Sequence, residues 1–139
     1  MNWLKICGAG IIVCLWMAVA AAQSPLLKNV SPAARGKTNP FSGSSDAVAA
    51  GGRLFEEHCS RCHGSDALGR GKRPSLRSKE VQLATDGELF WLLKNGNLRR
   101  GMPSWSSLPE PTRWQIITYV KSLGEATSPA PASDPAKKD

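Results

Sequence analysis

The sequence predicts an all-α domain of three to four helices. Three observations support this prediction: a Gly, an aromatic residue and a Cys spaced by four residues, a helix-capping sequence near residue 85, and an apolar stripe at helical spacing between residues 110 and 123. The chain of 139 residues, 41% hydrophobic and 21% charged, has room for one small domain of ordinary globular composition.

Residues 1–22 are predicted to be a signal peptide. Lys5 precedes an uncharged run that extends to Ala22 and ends in three alanines, the small residues that signal peptidase accepts. An uncleaved membrane anchor is the alternative, because the run is close to the lower limit of about 17 residues for spanning a bilayer. Residues 23–45 and 125–139 are rich in Ser, Pro, Gly and Ala, which predicts a flexible linker and a disordered tail around a domain at 46–124.

Each of the three helices within 46–124 has its own signal. Gly51, Phe55 and Cys59 lie along one face of the first helix. The capping-box sequence Thr85-Asp86-Gly87-Glu88 predicts a second helix of about ten residues that stops before Asn95-Gly96. The last helix is expected from about Glu110-Pro111 to Leu123, with a core-facing stripe of Trp114, Ile117, Val120 and Leu123.

The segment Cys59-Ser60-Arg61-Cys62-His63 has the C-x-x-C-H arrangement of covalent haem attachment. Two thiols at this spacing can each add to one vinyl group of the porphyrin, and the next residue, His63, becomes an axial ligand of the iron. Cys7 and Cys14 fall in the predicted signal peptide, so no other cysteine pair remains. A zinc site, which needs more ligands, a thioredoxin-like pair, which follows a strand, and a plain disulfide are the alternatives.

With this motif at the end of a helix that carries Gly51 and Phe55, the sequence resembles the class I cytochromes c. The resemblance covers roughly Asp46 to Leu123 and implies the class I cytochrome c fold, with helices wrapped around one covalently attached haem. It also implies that Gly51 and Phe55 pack against the last helix. In Arg73-Pro74-Ser75-Leu76 the resemblance implies that the Pro74 carbonyl accepts a hydrogen bond from the axial His, an ordinary turn proline being the alternative.

Met102 is the candidate for the second axial ligand of the iron. Met1 and Met17 fall in the predicted signal peptide, and His58 is tethered next to Cys59 on the side of the haem that His63 occupies. A thioether opposite His raises the reduction potential of haem iron, whereas a Met in core packing is the alternative. The segment 95–105 is similar to the Met loop of small bacterial cytochromes that accompany quinoprotein dehydrogenases and haem-copper oxidases.

The formal net charge of +7 includes a basic cluster beside these candidate residues. Such a cluster would steer an acidic redox partner to the haem edge, although a solvated loop explains it equally well. No nucleic-acid-binding motif accompanies the charge. The cluster consists of Arg70, Lys72, Arg73, Arg77 and Lys79, with Arg99 and Arg100 in the Met loop.

Together these features predict a periplasmic mono-haem cytochrome c with no catalysis of its own. It would carry single electrons from a dehydrogenase or quinol-oxidising donor to an oxidase or another cytochrome, as a monomer or as a subunit of a dehydrogenase complex. A haem enzyme or gas sensor with an open distal site is the alternative if Met102 does not bind the iron.

Overall fold

The structure, a computed structural model, describes residues 27–125, in which helices are connected by loops. The predicted signal peptide at 1–22 and the tail beyond residue 125 lie outside the described residues. Between residues 27 and 125 there is no β-strand, which confirms the all-α class, and no helix is long and apolar enough to cross a membrane. The α-helices of this range are α1 (Pro32–Arg35), α2 (Ser45–His58), α3 (Ser60–His63), α4 (Lys79–Leu83), α5 (Asp86–Asn95) and α6 (Glu110–Glu125).

Helices α2 and α6, from opposite ends of the domain, cross at Gly51 and form its framework. A Cβ atom on Gly51 would overlap the main-chain carbonyl of Gln115, so only glycine permits this close approach. One turn further along, the rings of Phe55 and Tyr119 lie with centroids 5.2 Å apart. The packing of Gly51 and Phe55 against the last helix, which the resemblance implied, is confirmed.

Helix α5 begins with the predicted capping box. The Thr85 hydroxyl accepts from the backbone N–H of Glu88 at 3.2 Å, and the Glu88 carboxylate accepts from the backbone N–H of Thr85 at 2.8 Å. The helix ends at Asn95, before Gly96, as the sequence predicted. Helix α6 starts at Glu110 as expected but continues to Glu125, past Gly124, where the predicted end lay at Leu123.

The segment 27–45 is packed against the domain, so the predicted flexible linker is wrong for the part that the structure describes. Leu27 and Val30 are only 5% and 4% exposed and belong to the hydrophobic core. Arg35 at the end of α1 forms an ion pair of 3.1 Å with Glu88 of α5, and its guanidinium donates to the Leu27 and Val30 carbonyls at 3.0 Å each. Apolar burial and these charged contacts hold a stretch whose composition resembles a linker.

Helix α4 supports the loop that leads into it. The side-chain amide of Gln82 donates to the main-chain carbonyls of Leu76 and Val120, at 2.7 Å and 3.0 Å. One side chain therefore joins the end of the glycine-rich loop 69–76 to α6, which fixes that loop relative to the helical framework.

Candidate haem-binding site

A cavity of about 210 Å³ lies between the helical framework and two loops, the glycine-rich loop 69–76 and the segment 96–105, called here the Met loop. Most of its wall is apolar. The apolar lining comes from every long helix, with Phe55 from α2, Leu89, Leu92 and Leu93 from α5, and Ile116, Ile117 and Val120 from α6. Cys59, Cys62, His63, Pro74 and Met102 all line this same cavity, so the structure brings every predicted site residue together.

The two cysteines and His63 are placed by consecutive helical turns. The backbone N–H of Cys59 donates to the Phe55 carbonyl at 2.8 Å as the last turn of α2, and the N–H of His63 donates to the Cys59 carbonyl at 2.9 Å in α3. Both thiols are free, and no cluster of three metal-binding side chains occurs in residues 27–125.

Burial raises the pKa of the Cys59 thiol to about 12, and the neighbouring Cys62 adds to the increase. A thiol with so high a pKa stays protonated at neutral pH and is a poor nucleophile. The thioredoxin-like alternative requires a strand before the cysteine pair, whereas helix α2 leads into Cys59.

The glycine-rich loop orients the His63 ring. The Nδ1 atom of His63 lies 3.0 Å from the Pro74 carbonyl oxygen, and because a carbonyl can only accept, Nδ1–H is the donor. In the neutral imidazole this tautomer has no proton on Nε2, the nitrogen that can then bind a metal. The loop is held to the motif by further bonds, from the backbone N–H of Gly69 to the His63 carbonyl at 2.8 Å and from that of Leu76 to the Ala67 carbonyl at 2.9 Å.

The Met loop presents Met102 from a tight reversal of the chain. Asn97 and Met102 form an isolated antiparallel bridge, with N–H to carbonyl distances of 2.8 Å and 3.0 Å. Gly101 between them has a φ of 72°, in the left-handed region that favours glycine. The loop is anchored to the C-terminal end of α5 by the backbone N–H of Trp105, which donates to the Leu93 carbonyl at 2.8 Å.

The charged part of the lining is mainly basic. Lys72, Arg73 and Arg100 line the cavity, and Glu80 is the acidic residue among the lining side chains. Arg77, also in the basic cluster, is half-buried. Its guanidinium Nε donates to the Asp66 carbonyl at 2.8 Å. An apolar cavity with a thiol pair, a His, a Met and cations fits a flat apolar macrocycle that carries two carboxylates.

Two contributors to the site, Leu27 and Arg113, and one ring contact were not identified from the sequence. Leu27 of the N-terminal segment lines the cavity, and the Ser31-Pro32 start of α1 was the available signal for that segment. The rings of His58 and Trp105 lie 5.5 Å apart at its edge. Arg113, buried in α6, donates to the Ser106 carbonyl at 3.2 Å and so supports the end of the Met loop.

A helical domain that wraps around an apolar cavity and presents a C-x-x-C-H motif to it is a class I c-type cytochrome, and its cofactor is covalently bound haem c. Residues 46–120 match the profile of the family described as cytochrome c oxidase, cbb3-type, subunit III. Because the match covers more than half of the chain, the protein belongs to this family. Its members are cytochromes, which supports electron transfer as the general role.

Two similar proteins extend the comparison. The chain is 37% identical over 82 residues to the cbb3-type cytochrome c oxidase subunit FixP of Bradyrhizobium sp. strain ORS 278. The aligned region covers 55% of this chain and 28% of that subunit. The crystal structure of cytochrome CL from the marine methylotroph Methylophaga aminisulfidivorans MPT superimposes with a TM-score of 0.53 at 25% identity, covering 64% of this chain and 65% of that one. The chain thus spans less than two thirds of either relative.

Proposed function

We propose that this protein is an exported mono-haem electron carrier in which Cys59 and Cys62 bind the haem as thioethers and His63 and Met102 are the axial iron ligands. The observation that carries the proposal is the convergence of these four side chains on one apolar cavity. Haem bound there supplies a one-electron iron couple, whose potential depends on the axial ligands and on burial.

The residues around the cavity have separate tasks in this proposal. The Pro74 carbonyl accepts from Nδ1 of His63 and so aims Nε2 at the iron. The Met loop brings Met102 to the same cavity, where its sulfur would bind the iron opposite His63, and a ligand on each side would let the iron change charge with little movement. Apolar side chains from α5 and α6 exclude water, which favours the less charged, reduced state of the site.

The test is the near-infrared spectrum of the oxidised, matured protein at neutral pH. We expect the weak charge-transfer band of sulfur-ligated ferric haem in the wild type and its loss in Met102→Ala. A wild-type protein with no such band and a high-spin ferric spectrum would instead support the haem enzyme or gas sensor with an open distal site.

The basic residues at the cavity edge support an acidic redox partner. Arg70, Lys72 and Arg99 are exposed, and Lys72 also lines the cavity, so positive charge lies next to the proposed haem edge. We expect the bimolecular rate of electron transfer to the physiological partner to fall severalfold between low and physiological ionic strength. A rate that stays constant as salt is added would contradict steering.

We further propose the periplasm as the site of action, with residues 1–22 as the export signal. A dehydrogenase or quinol-oxidising complex is the proposed donor, and an oxidase or another cytochrome the acceptor; similarity to a subunit of a cbb3-type oxidase supports an oxidase on the accepting side. Copurification with a large catalytic subunit at high salt would indicate a permanent subunit. Isolation as a monomer would indicate a diffusing carrier.

A further inference from the structure

Arg73 lies on the glycine-rich loop, one residue before the carbonyl that orients His63. Its own backbone N–H donates to the Arg70 carbonyl at 2.9 Å, which closes a turn and fixes the start of its side chain. The side chain is half-buried and lines the cavity. Arg73 is therefore attached to the wall that carries His63.

The other end of the Arg73 side chain reaches the Met loop. Its guanidinium Nη1 donates to the main-chain carbonyl of Arg100, two residues before Met102. The guanidinium also lies against the next residue, since a Cβ atom on Gly101 would lie 2.6 Å from the same Nη1 atom. The Arg73 guanidinium therefore contacts the Met loop at Arg100 and at the left-handed turn of Gly101.

We propose that Arg73 is a positioning residue that keeps the Met loop closed over the cavity by joining it to the loop that orients His63. The inference rests on the proposed ligation of iron by Met102. A charged donor to a carbonyl gives a stronger hydrogen bond than a neutral one, and the planar guanidinium retains further N–H groups for a carboxylate at the cavity edge. The bond connects residues 27 positions apart in the chain, so it restrains the loop against opening as a whole.

A competing ligand measures how often the loop opens. Imidazole can bind ferric iron only when Met102 has left it, so its apparent dissociation constant is inversely proportional to the population of the open loop. Loss of one charge-assisted hydrogen bond should raise that population about tenfold. The experiment titrates imidazole into the oxidised holoprotein at constant pH and follows the near-infrared band.

Arg73→Gln is expected to bind imidazole about tenfold more tightly than the wild type, with the band still present before the titration. Lys72→Gln is the matched control, because it removes the same charge from the adjacent lining residue, and its affinity should remain within about twofold of the wild type. Arg73→Lys keeps the charge and one donor and should restore most of the wild-type behaviour, which also separates positioning from a failure to fold.

The outcomes distinguish this inference from the function on which it rests. If the wild type has the band but Arg73→Gln and Lys72→Gln bind imidazole equally well, the positioning role is overturned while Met102 ligation stands. If the wild type lacks the band, Met102 ligation fails and the role of Arg73 fails with it.

Discussion

The two walls of the cavity are held in different ways. His63 follows Cys62 directly in α3, and its ring is fixed by a carbonyl only eleven residues along the chain. Met102 lies in a loop shaped by the Asn97 bridge and by the distant Arg73. The wall of His63 is built from a covalent motif and contacts near it in the chain, whereas that of Met102 combines the local Asn97 bridge with a bond that spans 27 residues. The Met102 wall should therefore be the side that opens first.

Removing the covalent attachment should have the largest effect. In Cys59→Ala, Cys62→Ala we expect no cooperative thermal transition, because a helical domain of this size cannot bury enough apolar surface without the cofactor. Met102→Ala, which retains both thiols, should still unfold cooperatively. Circular dichroism during heating measures both, and a native-like transition in the double variant would show that the framework folds without haem.

The next largest loss of stability is expected from a substitution at the crossing of α2 and α6. Gly51→Ala places a methyl group against the Gln115 carbonyl and should lower the free energy of unfolding by about 3 kcal/mol or more. Gly52→Ala is the control, because its Cβ would lie 3.3 Å from the Tyr119 ring and a gain in helix propensity offsets the contact. Denaturant unfolding of the two holoproteins compares them, and equal stabilities would contradict the close crossing.

The N-terminal segment should contribute a smaller amount to the free energy of unfolding, because it packs on the framework beneath both walls. Arg35→Ala removes the ion pair with Glu88, whose side chain is 9% exposed, and the bonds to the Leu27 and Val30 carbonyls. We expect a loss of about 2 kcal/mol in unfolding free energy. Lys28→Ala removes the same charge from an exposed position of the segment and should change it by less than about 0.5 kcal/mol. Similar losses in both variants would mean that the segment is not docked.

The smallest effect on stability is expected from a substitution in the wall that carries His63. Pro74→Ala leaves the main-chain carbonyl that accepts from His63 in place and changes mainly the freedom of the unfolded chain. The unfolding free energy should fall by less than about 1 kcal/mol, and the affinity for imidazole should stay within about twofold of the wild type. A large gain in imidazole affinity would show that the walls are less independent than their contacts suggest.

The success of sequence-based prediction follows the same division between local and distant contacts. The capping box of α5, the stripe of α6 and the C-x-x-C-H motif are local patterns, and the structure shows the expected helices and brings the motif to the cavity. The segment 27–45 was assigned to a linker because its stability comes from distant partners, such as the 2.9 Å bond between Asn39 and Thr118. Arg73 was interpreted only as part of a charge cluster, since no pattern in sequence indicates a carbonyl acceptor 27 residues away.

The crossing of α2 and α6 also has a consequence for the order of folding. Gly51 and Gln115 stand near opposite ends of the domain, so their contact closes a long loop and costs on the order of 4 kcal/mol in chain entropy. This cost must be met before the contact between the two helices contributes any stability. A chain that has not made this crossing lacks the burial that raises the Cys59 pKa in the folded structure. Covalent modification of both thiols is therefore expected to be easier before the two helices cross than after Cys59 has become half-buried.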